Sequence, residues 1–127
     1  MNDKKEVGNR GEELACQHLQ KRGYKIIEKN FWKPWGELDI VALAPDKTLI
    51  FFEVKTLQRK HHDLTKVSSL CPEENLTSAK LKKLQRTASL YANASSHLND
   101  ERGWQIDLLA IDIFSDAPPD IRHYPNL

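Results

Sequence analysis

Three charged residues stand in runs that otherwise carry strand-forming apolar side chains. They are Asp39 in Leu38-Asp39-Ile40-Val41, and Glu53 and Lys55 at the end of Leu49-Ile50-Phe51-Phe52-Glu53-Val54-Lys55-Thr56. Two carboxylates and an amine held together suit hydrolysis of a phosphodiester. That reaction needs a hard cation on a non-bridging oxygen, a water beside it as nucleophile, and help for the leaving oxygen. Mg²⁺ or Mn²⁺ takes carboxylate, carbonyl and water oxygens. Asp39 and Glu53 are therefore candidate metal ligands, with the Val54 backbone carbonyl as a third oxygen. Lys55 could orient the attacking water or stabilise the pentacoordinate phosphate, and Glu12 could hold a second metal ion. The same residues also fit an ion cluster on the solvated face of an edge strand. Context favours chemistry, because Glu53-Val54-Lys55 is the only Glu-x-Lys in the sequence and ends its most hydrophobic strand.

The elements that must position these groups follow from periodicity and turn residues. Residues 38–44 and 48–56 are apolar runs separated by Pro45-Asp46-Lys47, which predicts a β-hairpin. A turn centred on Asp46 sets Asp39 opposite Glu53, and alternation puts Glu53 and Lys55 on the same face as Asp39. A first helix is expected over residues 4–22, from an Asp3 N-cap with Glu6 as its capping box to Gly23 as its stop. Gly8, Gly11, Ala15 and Leu19 form its packing stripe, with Glu12 on or beside it. Residues 24–29 read as a strand and 30–36, with Pro34 and Gly36, as a turn or loop. From 57 to 75 no periodicity is convincing, and a mobile flap is expected. A second helix begins near Thr77 or Ser78, with Leu81, Leu84, Ala88, Tyr91 and Leu98 on its apolar side and Lys80, Lys83 and Arg86 mainly away from it. Residues 104–114 form another buried strand, and 115–127 an extended tail. At 127 residues the chain is read as one domain, 1–127.

Composition narrows the function classes. With 39% hydrophobic and 29% charged residues the chain reads as a globular protein. No apolar run approaches the roughly 18 residues of a membrane span, and no secretory signal opens the sequence, so a cytoplasmic location is expected. Cys16 and Cys71 lack the spacing of a zinc site or a disulfide framework. Net charge is only +1, but between Leu57 and Arg86 seven basic residues stand against three acidic ones, an excess of +4. Arg59, Lys60, Lys80, Lys83 and Arg86 are thus candidate phosphate contacts, with an ordinary solvated face as the alternative. Trp32, beside Lys33 and near Phe31 and Trp35, could stack on unpaired bases, or these aromatics could pin a loop to the core. Glu37 is a minor metal candidate, and His18, His61 and His62 read as structural or exposed.

The segments Gly36-Glu37-Leu38-Asp39-Ile40-Val41 and Leu49-Ile50-Phe51-Phe52-Glu53-Val54-Lys55-Thr56 resemble the signature of the YraN family. Gly8, Gly11, Glu12, Ala15, Gly23-Tyr24, Asn30, the helix over 80–92 and Ile106-Asp107-Leu108-Leu109-Ala110-Ile111 extend the resemblance from Gly8 to Phe114. Such proteins are similar to archaeal Holliday-junction resolvases of the restriction-endonuclease-like superfamily, whose motif is written PD-(D/E)-x-K. The resemblance implies an α/β fold with a central mixed β-sheet flanked by helices, and metal-dependent cleavage of DNA, including branched or distorted DNA. It implies catalytic positions at Glu12, Asp39, Glu53 and Lys55. Leu38 stands where the motif writes proline, and Leu57 where the family usually carries arginine, a contact that Arg59 could replace.

Two other functions remain open at this level. A non-catalytic nucleic-acid-binding module would keep the fold and the basic face without needing Asp39 or Glu53. A structural protein would use the acids only as an ion network. Resolvase-type cleavage of two strands would favour a homodimer.

Overall fold

A computed structural model describes residues 4–59 and 76–127. Helix α1 runs over Lys4–Lys21 and ends as its sequence predicts. Gly23 takes φ +87°, its N–H donates to the Gln20 carbonyl at 3.1 Å, and the Tyr24 N–H donates back to Leu19 at 3.1 Å. That pair of bonds is a Schellman motif, and a side chain at Gly23 would strain it. Gly11, Ala15, Cys16 and Leu19 form the buried stripe. A Cβ on Gly11 would collide with the Thr56 side chain, so glycine sets how closely α1 approaches the sheet. Gly8, expected on the same stripe, faces open space instead.

Strands β1 (Lys25–Lys33) and β2 (Gly36–Leu43) form a hairpin. The expected loop over 30–36 shrinks to a turn at Pro34 and Trp35, with Lys33 paired to Gly36 and Phe31 to Leu38. Aromatic strand formers explain the extension, since Phe31 packs edge-to-face on Tyr91 at 5.0 Å. β2 turns into β3 (Leu49–Arg59) through Pro45, Asp46 and Lys47. Lys47 has φ 77° and its N–H donates to Ala44 at 2.9 Å, while Asp46 Oδ1 accepts from the Thr48 N–H at 3.0 Å. The register is the predicted one, with Ile40 paired to Phe52 and Ala42 to Ile50.

β3 runs three residues into the stretch expected to be a flap, because β4 (Trp104–Phe114) pairs with it in parallel as far as Arg59 and Phe114. The remainder of that expected flap, including Lys60, lies outside the described residues. Helix α2 (Ser78–Ala94) supplies the crossover that a parallel pair requires. Thr77 caps it, accepting from the Lys80 N–H at 3.2 Å. Leu98 lies beyond its end but still packs on the core it was expected to join. The expected extended tail contains β5 (Asp120–Tyr124), antiparallel to β4. Ile121 packs on the core, and Arg122 and His123 reach buried acids on β4.

The result is an α/β fold with a mixed sheet ordered β1-β2-β3-β4-β5. One apolar cluster, including Ala15, Leu19, Ile40, Phe52 and Leu109, lies under α1, and another, including Val41, Phe51, Leu84, Ala88 and Ile106, under α2. Each fully buried Leu, Ile or Phe contributes about 1.5–3 kcal/mol, so both helices are held mainly by apolar burial. No helix among the described residues is long and apolar enough to cross a membrane.

Candidate active site

The alternation of β2 breaks at Asp39. Ile40 and Ala42 belong to the α1-side core and Val41 to the α2-side core, as a regular strand requires. Leu38 should therefore lie beside Ile40, yet it packs with the α2-side cluster. The paired rungs between β2 and β3 run from Leu43 and Leu49 to Ile40 and Phe52 and end there. Beyond that point Asp39 takes over the role of a backbone acceptor, and the Val54 N–H donates to its Oδ2 at 2.8 Å. On the other strand facing this break, in β1, Asn30 sits at φ 54°, a left-handed conformation that asparagine tolerates better than most residues. The sheet thus opens where the carboxylate enters it.

Glu53 and Lys55 follow on β3, one residue to either side of Val54. Lys55 Nζ lies 3.2 Å from Glu53 Oε1, with side-chain exposures of 24% and 18%. Asp39 and Glu53 influence each other's protonation directly. Burial, followed by repulsion from Glu53, pushes the Asp39 pKa up to about 7, against the opposing effects of the Val54 N–H and Lys55. Burial also raises Glu53, which Lys55 partly offsets. Two acids therefore share a half-buried position with incomplete compensation by protein cations, an arrangement common at functional sites.

Glu12 approaches from α1. With the Asn30 amide turned to donate, its nitrogen lies 2.7 and 3.1 Å from the two Glu12 carboxylate oxygens. Burial raises the Glu12 pKa, and Asp39 raises it further, so the two acids feel each other across the break. Among the described residues, no three His, Cys, Asp or Glu side chains converge as ligands of a single metal ion. The compact acidic unit is the pair Asp39 and Glu53, with Glu12 held separately by Asn30.

A cleft of about 340 Å³ opens on the α2 side, lined by Glu37, Glu53, Lys55, Lys80, Lys83 and Thr87 among others. Lys80 and Lys83, expected away from the packed side of α2, are exposed and face this cleft. Arg86 is exposed on the same helix but does not line it. Arg59 is engaged on the sheet, its Nε donating to Asp112 Oδ1 at 2.8 Å. Lys33 and Trp35 line a neighbouring groove, and Trp32, 66% exposed, lines neither cavity.

Sequence reasoning missed Asn30 as the group that holds Glu12, and it missed the partners of Asp107 and Asp112. The signal for the latter was present, because an acid in an otherwise buried apolar strand needs a partner.

A hard divalent cation fits the donor chemistry. Mg²⁺ dehydrates reluctantly and is usually held by one or two carboxylates together with substrate phosphate oxygens. Asp39 and Glu53 match that requirement, and a cation there would offset the burial that raises both groups and the repulsion that Glu53 exerts on Asp39.

Comparison with known proteins gives a consistent family assignment. The family described as "Uncharacterised protein family UPF0102" matches residues 11–111. A UPF0102 protein of Syntrophomonas wolfei is 36% identical over 122 residues, covering 96% of each chain. One from Pelobacter propionicus is 34% identical over 125 residues, covering 98% of this chain and 83% of that protein. A third, from Caldanaerobacter subterraneus, is 39% identical over 94 residues, covering 74% and 70%. The matched span takes in α1 from Gly11 onward, the β2–β3 hairpin, α2 and most of β4, and the chain belongs to the UPF0102 family, also called the YraN family.

Proposed function

We propose that this protein is a metal-dependent endonuclease that hydrolyses phosphodiester bonds in DNA. The observation that carries this reading is the meeting of Asp39, Glu53 and Lys55 at the break in the sheet, with both acids raised and Lys55 at 3.2 Å from Glu53. Asp39, Glu53 and the Val54 carbonyl would hold Mg²⁺ or Mn²⁺. When bound, the cation supplies Lewis-acid stabilisation of charge on the phosphate and lowers the pKa of water.

The chain's own residues do the remaining work. Val54 fixes the Asp39 carboxylate through its N–H, so the ligand is oriented before substrate arrives. Lys55 is steered by Glu53 and offers its ammonium to the attacking water or to the phosphate oxygens. Lys80 and Lys83, on the opposite wall of the cleft, attract the backbone on either side of the scissile phosphate. Glu12, held by Asn30, adds negative charge behind Asp39 and strengthens the demand for a cation.

A non-catalytic nucleic-acid-binding module is the second reading. It is favoured by the absence of a three-ligand cluster among the described residues. Cleavage of plasmid, linear duplex and branched DNA with Mg²⁺ or Mn²⁺ separates the two. The nuclease reading expects metal-dependent nicking that falls by about 10²–10³-fold in Glu53→Gln or Lys55→Ala. Metal-independent binding without nicking, unchanged by these substitutions, would support the binding module instead.

A further inference from the structure

The cleft that holds Glu53 and Lys55 and a second cavity lie on either side of Thr87, the residue that both share. Thr87 is 2% exposed, packs so closely on Gly36 that a Cβ there would collide with it, and lines both spaces. The second is a groove of about 500 Å³ between β1 and α2, and its character differs from that of the first. Its surroundings include Phe31, Trp35, Leu90, Tyr91, Lys33 and His97.

The aromatic floor is closely packed. Phe31 and Tyr91 meet edge-to-face at 5.0 Å, Tyr91 meets Phe51 at 5.5 Å, and the Tyr91 hydroxyl donates to Glu28 at 2.8 Å. Above this floor, Trp35 is 45% and Leu90 52% exposed, a large apolar surface left open beside a charged cleft. Lys33 places its ammonium 5.8 Å from the Phe31 ring centroid, so a cation stands at the groove wall. Packed aromatic faces and a cation beside a lysine-walled cleft are the parts of a single-strand binding surface. An acidic or purely apolar peptide would match the cations or the aromatics, but a nucleotide matches both.

We propose that this groove receives an unpaired base of a nucleic-acid strand whose backbone lies in the Glu53 and Lys55 cleft, with Trp35 stacking on it. The protein would then select DNA carrying unpaired nucleotides, such as flaps, bulges and open junctions, over fully paired duplex. The location of the phosphate rests on the nuclease reading above, whereas recognition of the base rests on the groove.

Fluorescence anisotropy tests this with a flapped duplex and a blunt duplex of equal length, Ca²⁺ replacing Mg²⁺ and gels verifying intact strands. Wild type should prefer the flapped duplex, and abasic residues through the flap should weaken binding by about 5- to 100-fold. Trp35→Ala should lose a similar factor on the intact flap and become insensitive to the abasic residues, while Trp35→Phe should retain most of the preference. Equal binding of flapped and blunt DNA by wild type would overturn the proposal. So would a loss in Trp35→Ala that is the same on both. Either of these results with Mg²⁺-dependent cleavage intact removes the base groove and leaves the nuclease reading standing. Base-dependent binding with no cleavage supports the groove and removes the nuclease reading.

Discussion

Asp39 and Asp107 are carboxylates on the two strands that flank β3, and the chain surrounds them differently. Asp107 is 1% exposed, with Oδ1 accepting from Gln105 Nε2 at 2.8 Å and the Asn126 N–H at 2.9 Å, and with Oδ2 at 2.6 Å from His123 Nε2. Asp112, further along the same strand, is likewise paired, with Arg59 at 2.8 Å and Arg122 at 3.0 Å. Asp39 accepts one backbone hydrogen bond, and the Lys55 charge only partly offsets its burial and the repulsion from Glu53. The acids on β4 are saturated and tie the C-terminal strand to the sheet. The acids at the break are undercompensated, which costs stability in the protein alone and, on the metal-site proposal, would be recovered by a bound cation. A buried acid is thus informative about function through what its neighbours leave unmet.

The largest expected effect separates these two groups directly. Asp107→Ala strips partners from Gln105, Asn126 and His123 and should lower stability by about 2–4 kcal/mol, read by urea denaturation, with cleavage per folded molecule unchanged. Glu53→Gln should do the reverse, keeping the fold and losing cleavage. If both variants lost only stability, the distinction between saturated and undercompensated acids would fail.

A smaller effect, of opposite sign, sharpens the comparison at Asp39. Folded Asp39 keeps its proton to about pH 7, well above its ordinary value of 3.8. Folding therefore takes up a proton between those values, so the Asp39 contribution to stability is fully present below pH 3.8 and is lost as pH rises through 7. Asparagine keeps the acceptor for the Val54 N–H but does not titrate. Asp39→Asn should be more stable than wild type by about 1–3 kcal/mol at pH 8 in EDTA, with the difference closing towards pH 4. Denaturation curves at both pH values check this, and an equal or less stable variant at pH 8 would contradict the strain assigned to the pair.

How much of this was legible follows the range of the interactions. The β2–β3 register was readable because Pro45, Asp46 and Lys47 fix a short turn between apolar runs, and that register brings Asp39 towards Glu53. The end of α1 was readable from Gly23, whose conformation is local. The break at Asp39 was not, because it shows only in which core Leu38 joins. The continuation of β1 through Lys33 depends on Phe31 finding Tyr91, a partner 60 residues away. β5 was read as an extended tail because its anchors, Asp107 and Asp112, lie on another strand. The pairing of Asn30 with Glu12 joins a strand residue to a helix that precedes it, and neither residue announces the other.

The smallest effects concern the cleft wall. Lys80→Ala and Lys83→Ala should each weaken DNA binding evenly across sequences and reduce the salt dependence of log Kd by about one unit of slope. Arg86→Ala, outside the cleft, should change that slope little. Titrations from low to moderate salt would show this, and an equal response at all three positions would place the DNA along the outer face of α2.

The most direct test of the central claim is calorimetric titration of Mn²⁺ into wild type and Asp39→Asn, with and without duplex DNA. Wild type should bind saturably, more strongly with DNA, and the variant should lose this binding although it is the more stable protein at pH 8. Binding of equal affinity in both proteins, or none by wild type even with DNA present, would contradict a metal site at Asp39 and Glu53.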